Sequence, residues 1–181
     1  MSERSPKVLL HTCCSPCASA STLRLIKDNY TVTLFFSNSN IFPEEEYNKR
    51  LMNARKLANI LNVPLLEDIY DHDSWRLWIR GFESEPERGK RCEKCFHFNL
   101  QKTWQKAKDL NIPFFTTTLT ISPYKISPVI LQIGRQFPGF LAYNFKKEDG
   151  YKKSIELSHQ WDLYRQKYCG CEYSMNGEHK V

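Results

Sequence analysis

Seven cysteines fall in three tight groups, Cys13-Cys14-x-x-Cys17, Cys92-x-x-Cys95 and Cys169-x-Cys171. Residues three or four apart share a helix face, so Cys92 and Cys95 can turn to one metal, as can Cys14 with Cys17 or Cys13 with Cys17. Adjacent Cys13 and Cys14 point in different directions, which lets the pair serve two neighbouring centres. Cys169 and Cys171 align in an extended segment, and Gly170 between them permits close backbone approach. One tetrahedral zinc or one cubane cluster takes four thiolates and leaves three. The remaining three suit a second, open metal site completed by Asp71, or include one redox thiol of lowered pKa. Structural zinc and inert buried thiols are the two competing readings.

Other chemistry-bearing residues are more ambiguous. Asp71 follows a predicted strand and equally suits a helix cap. His72 reads as a surface residue and His11, ending a strand, as a satisfied core histidine. A disulfide framework is disfavoured, because the total is odd and Met1 to Lys7 carries no apolar leader segment. No window approaches the length of a membrane span. The expectation is a cytoplasmic protein with no membrane partner.

The elements that must position these groups follow from periodicity. Val8–His11, Thr31–Phe36, Pro64–Tyr70, Pro113–Leu119 and Gly139–Phe145 read as strands. Ser15-Pro16 opens a helix to about Asp28. A second helix starts at Pro43, with Glu44, Glu45 and Glu46 in its first turn and Tyr47, Leu51, Ala54, Ala58 and Leu61 on one stripe. Asp73–Arg80 reads as a short helix ended by Gly81, and 83–91 as a loop. Cys92–Leu110 and Tyr151–Arg165 are helical, as is a segment around Val129, Ile130 and Ile133.

Strands alternating with helices predict an α/β fold: a three-layer, mostly parallel five-stranded sheet with helices on both faces. Residues 1–181 form a single domain, with a polar N-terminus at 1–6 and a tail at 166–181 carrying Cys169 and Cys171. At 41% hydrophobic and 25% charged residues the composition is that of an ordinary globular domain. Ligands of such sheets bind beyond the carboxyl ends of the strands. That edge collects Cys13-Cys14, Asp71-His72, Thr120 to Pro123 and Lys146-Lys147. Neither a P-loop nor a dinucleotide-binding glycine turn is present.

The net charge of +6 is unevenly spread. Residues 66–87 carry net −5, whereas 91–108 and 124–153 each carry +4. Lys125, Lys146, Lys147, Lys152, Lys153 and Arg165 alternate with Tyr124, Phe145, Tyr151 and Tyr164. That mix of cations for phosphates and rings for unstacked bases is used by single-stranded RNA binders.

Five segments then carry a family resemblance: HTCCSPC (11–17), EPERGKRCEKCF (85–96), TTTLTISP (116–123), GYKKSIELS (150–158) and LYRQKYCGC (163–171). Together they resemble the QueH-type epoxyqueuosine reductases over roughly Lys7 to Ser174. The resemblance implies a fold related to ATP-pyrophosphatase (HUP-like) domains, with Cys13 to Cys17 standing where those domains bind pyrophosphate. It implies two-electron reduction of the epoxide of epoxyqueuosine in the wobble nucleotide of a tRNA with a GUN-type anticodon. It also implies a [4Fe–4S] cluster with an adjacent metal ion, iron, and an external ferredoxin- or flavodoxin-like electron donor. No C-x₂-C-x₂-C-x₃-C-P run is present, so the cobalamin-dependent route is disfavoured.

On this reading all seven cysteines are candidate ligands, with Cys92 and Cys95 on the cluster. Asp71, Cys13 and Cys17 are the candidate catalytic residues, Asp71 completing the second site. Thr120, Ser122 and Tyr168 are candidate proton or substrate contacts, and the six basic residues above would hold the anticodon arm. The alternative function is a zinc-dependent RNA-binding module without catalysis.

Overall fold

A computed structural model describes residues 5–175. The first four residues of the expected polar N-terminus and residues 176–181 of the tail lie outside them. Four parallel strands, β1 (Lys7–His11), β2 (Thr31–Phe36), β3 (Leu65–Glu67) and β4 (Phe114–Thr117), are ordered β3-β2-β1-β4. Six α-helices pack around them: α1 (Ser15–Lys27), α2 (Glu44–Leu61), α3 (His72–Trp78), α4 (Lys90–Asp109), α5 (Ser127–Gly134) and α6 (Gly150–Gln160).

The two central strands are buried on both sides. Val8, Leu10, Val32 and Leu34 pack towards α1 and its neighbours, while Leu9, Phe35 and Phe115 pack towards α4 and α5. Adjacent residues therefore feed opposite layers, which is why these strands read as continuous apolar runs. Each such side chain contributes about 1.5–3 kcal/mol on burial. The expected three-layer α/β arrangement is present.

The sheet has four strands rather than five. Gly139–Phe145 makes only a single bridge, Phe115 to Phe140, and then leaves the ladder. Side-chain hydroxyls take its carbonyls: Thr116 donates to Leu141 O at 2.7 Å and Thr120 to Tyr143 O at 2.9 Å. Gly139, at φ +82°, passes so close to Pro113 that a Cβ would lie 2.4 Å from its carbonyl oxygen. Other boundaries shift by smaller amounts. β3 is shorter than the predicted Pro64–Tyr70, and α6 ends at Gln160 instead of Arg165. α1 is capped by Cys14, with Ser15 already helical.

The carboxyl ends of β1 and β4 define the site. β1 runs into Thr12, Cys13 and the start of α1. β4 stops at Thr117, whose hydroxyl accepts from Leu119 N at 3.1 Å and turns the chain into a 3-10 helix, Thr118–Ile121. That turn, whose first two residues are predicted from sequence as the end of a strand, presents Thr118 to Cys13.

Candidate metal centre

The first thiol group sits at the start of α1. The sulfurs of Cys13, Cys14 and Cys17 lie within 4.8 Å of one another. Cys13 Sγ is 3.9 Å from Cys14 Sγ and 3.3 Å from Thr118 Oγ1. Hydrogen bonds from Cys14 and Cys17 hold the Cys13 thiol well below its ordinary pKa, whereas burial pushes Cys14 up to about 12. The Cys17 thiol is raised well above its ordinary value by its bonds to Cys13 and Cys14. A bound metal replaces the thiol protons.

The second group is assembled from two distant parts of the chain. Cys92 and Cys95 open α4, and Cys169 and Cys171 come from the tail. All four line one pocket, with Trp75, Phe96, Lys125, Ile126 and Val129 among its other walls. Burial pushes the Cys92 thiol up to about 11 and raises Cys95 and Cys171 as well. Thiolates at the corners of a cluster stand farther apart than those sharing one ion, and this group lacks the tight spacing of the trio.

The tail is held in place by Arg50 of α2. Its Nη1 donates to Cys169 O at 3.0 Å, its Nη2 to Tyr168 O at 3.2 Å and its Nε to Glu46 Oε1 at 2.7 Å. Phe42 N donates to Gly170 O at 2.8 Å. Gly170, at φ +144°, adopts a backbone conformation that L side chains rarely take, and a Cβ there would sit tightly, 3.2 Å from Ile41 Cγ1 and 3.3 Å from Arg50 Nη1.

The two thiol groups are neighbours. A second, smaller cavity is lined by Cys13 from the first, by Cys95 and Cys169 from the second, and by Lys125, Asn38, Asn40 and Asn99. The sequence pattern separated three groups without partitioning them. The fold pairs two of the groups and leaves the third as a trio.

The four-thiol cavity suits an anionic group. Trp75 is fully buried and its Nε1–H has no hydrogen-bond partner among the described residues. Arg91 is 3% exposed, and its Nε is likewise unpartnered. Buried donors of this kind are costly unless something accepts from them. Both line the cavity with the four sulfurs, so the residues present fit an iron–sulfur cluster.

Several predicted site residues have other work in this structure. Asp71 is exposed and caps α3, its two oxygens accepting from Ser74 N at 3.0 Å and Ser74 Oγ at 2.5 Å. It lines neither cavity that the thiols line. Thr120 is fully buried, donating to Tyr143 O and accepting from Phe145 N at 3.2 Å. Ser122 Oγ accepts from Tyr124 N at 3.2 Å in a local turn. The Tyr168 hydroxyl donates to Phe42 O, and its ring lies under Arg50, so it anchors the tail. His11 is the satisfied core histidine expected, bonded to Thr117 Oγ1 and Ser37 O. His72 bonds Ser39 O through Nδ1 and stacks on Phe42 and Trp75.

The basic residues divide. Lys125 reaches between the two thiol groups, and Lys146 Nζ donates to Lys125 O at 2.7 Å. Lys147 and Lys153 line a separate pocket between α1 and α6, together with Arg24 and Lys27. Lys152 is exposed on α6, and Arg165 lies beyond the end of that helix, half-buried. Sequence reasoning missed Trp75, Arg91, Arg50 and Thr118, which look like ordinary core or helix residues until the tail is docked.

A family model described as Epoxyqueuosine reductase QueH matches residues 8–177. The Epoxyqueuosine reductase QueH of Streptococcus pyogenes serotype M1 is 39% identical over 180 residues, spanning 93% of this chain and 70% of that protein. Its counterpart from Haemophilus influenzae is 34% identical over 96% of this chain and 74% of its own. That from Thermotoga maritima is 35% identical over 93% of this chain and 90% of its own. Among solved structures, NMN synthetase from Francisella tularensis aligns with a TM-score of 0.49 and 14% identity, covering 89% of this chain and 63% of that one. The family match runs through all three cysteine groups and nearly the full length of the polypeptide, and the chain belongs to the QueH family of epoxyqueuosine reductases.

Proposed function

We propose that this protein reduces the epoxide of epoxyqueuosine, at the wobble position of a tRNA with a GUN-type anticodon, to queuosine and water. The observation that carries the reading is the meeting of seven sulfurs in two adjacent groups that share a cavity wall. Cys92, Cys95, Cys169 and Cys171 would hold a [4Fe–4S] cluster, and Cys13, Cys14 and Cys17 an adjacent iron. When bound, such a pair supplies single-electron transfer and Lewis acidity towards oxygen.

The chain's own residues supply the setting. The trio sits at the N-terminus of α1, where free N–H groups and the helix dipole face it. Three ligands leave one position of a tetrahedral site open. The exposed carboxylate of Asp71 is already engaged as a cap, so this reading no longer needs it. Lys125 brings a cation and N–H donors between the two groups, where negative charge on a departing oxygen would be met. Phe96, Ile126 and Val129 keep that space apolar. Lys147, Lys152 and Lys153 offer contacts for tRNA phosphates on α6.

Seven unpaired cysteines suit a reducing cytoplasm. The electron donor is a ferredoxin- or flavodoxin-like protein. Anaerobically purified protein is expected to be brown, to carry about four to five irons per chain, to bleach with dithionite and to convert epoxyqueuosine in tRNA. Colourless protein holding a single tetrahedral zinc and binding tRNA without turnover would instead identify an RNA-binding module.

A further inference from the structure

The four-thiol cavity has two donors that nothing else in the fold uses. Trp75 comes from α3 and Arg91 from the first turn of α4, and each is held rigidly. The Trp75 ring is fully buried, packs with Ile79, Phe98 and Cys171 and stacks on His72. Arg91 Nη1 donates to the carbonyls of Glu83, at 2.8 Å, and Glu85, and its guanidinium lies 4.8 Å from the Tyr173 ring centroid. That leaves Trp75 Nε1–H and Arg91 Nε–H without partners.

Charge makes the case stronger. Among the described residues Arg91 forms no ion pair, although it is 3% exposed. A buried guanidinium without a counter-ion is costly by several kcal/mol. Glu87 and Glu93 line the same cavity but neither pairs with Arg91, and the four cysteines are the remaining groups there that can carry negative charge beside it.

We propose that Trp75 and Arg91 are positioning residues that set the reduction potential of the cluster, by hydrogen-bonding its sulfurs and by holding one fixed cation beside it. This rests on the four-thiol reading above and goes beyond it. Reduction adds one electron to a group that is already anionic. A donor or a cation at fixed distance stabilises the reduced form more than the oxidised one and raises the potential. Both side chains line the cavity together with the four cysteines, Trp75 from α3 and Arg91 from α4, so they approach the cluster position from two different elements.

The test is an anaerobic redox titration of the reconstituted full chain, followed by absorbance and electron paramagnetic resonance. Trp75→Phe keeps the ring and removes the N–H. It is expected to lower the reduced-to-oxidised ratio at a fixed potential about tenfold, equivalent to a midpoint about 59 mV more negative, with iron and sulfide content unchanged. Arg91→Gln should shift it in the same direction and Arg91→Lys less, because lysine keeps the charge. A Trp75→Phe protein with full iron and sulfide and a wild-type midpoint would overturn the proposal. If that variant does not assemble, the Arg91 pair decides: equal midpoints for wild type, Arg91→Lys and Arg91→Gln would overturn it. Wild-type protein that binds no iron and sulfide at all would instead overturn the cluster reading beneath it.

Discussion

The Arg50 guanidinium lies 3.0 Å from the carbonyl oxygen of Cys169, a residue 119 positions later in the chain. This contact, with its partner to Tyr168 O, makes α2 the anchor of the tail that closes the four-thiol cavity. The Arg50 side chain is 2% exposed and Glu46, its ion-pair partner, 11%. Arg50→Met is therefore expected to cost about 3–5 kcal/mol, because it strands a mostly buried carboxylate and two carbonyls. Urea melts of the anaerobic protein check the stability, and iron per chain checks the site. Unchanged stability with full iron would show that the tail is held by other contacts.

The partition of the cysteines can be read by metal analysis. Cys92→Ala should lose the brown colour, the acid-labile sulfide and turnover together, while retaining metal at the trio. Cys17→Ala should keep the colour and sulfide, lose about one iron and lose turnover. A Cys17→Ala protein without sulfide, or a Cys92→Ala protein with it, would reverse the assignment.

Asp28, far from the thiols, predicts a simple pH effect on stability. The Tyr143 hydroxyl, 2.8 Å away, and Arg24 hold its carboxyl below the usual carboxylate range. A group whose folded pKa is depressed stabilises above its unfolded value, about 3.9, and loses that contribution as pH falls through the folded one. Asp28→Asn should thus melt earlier than the parent near neutrality. The gap should close as the pH drops below 4, and a gap that widens in acid would contradict the linkage.

The lysines of α6 should betray themselves through salt. Each phosphate contact removed lowers the slope of log K against log salt concentration by somewhat less than one. Lys152→Ala combined with Lys153→Ala is expected to flatten the slope for tRNA binding by about 1–2 while leaving iron content intact. An unchanged slope would move the tRNA contact to another face.

Much of this architecture was legible in the residues alone, for physical reasons. The strands β1 and β2 are continuous apolar runs because both their faces are buried, and α4 opens with its C-x-x-C because residues three apart share a face. The thiol groups were visible because spacing along a chain is also spacing on a helix. Gly139–Phe145 has strand composition, yet Thr116 and Thr120 hydroxyls capture its carbonyls, a tertiary competition that no local pattern records. Asp71 offered two readings, and the structure gives it the cap. Trp75 and Arg91 were invisible as site residues because the one buried indole of a short helix and an arginine in a basic helix look ordinary. Only the returning tail places the sulfurs of Cys169 and Cys171 in the cavity they line.

That return has a consequence for biogenesis. A nascent chain emerging from the ribosome presents Cys13, Cys14 and Cys17 first and can fold β1, α1 and β2 around them. Its larger cavity stays open until residue 171 has cleared the exit tunnel and Gly170 has slotted beside Arg50. On the proposed partition of the cysteines, insertion of a cluster would follow translation of the C-terminal segment, and ribosome-bound intermediates arrested before residue 169 would accept a single ion and refuse the cluster.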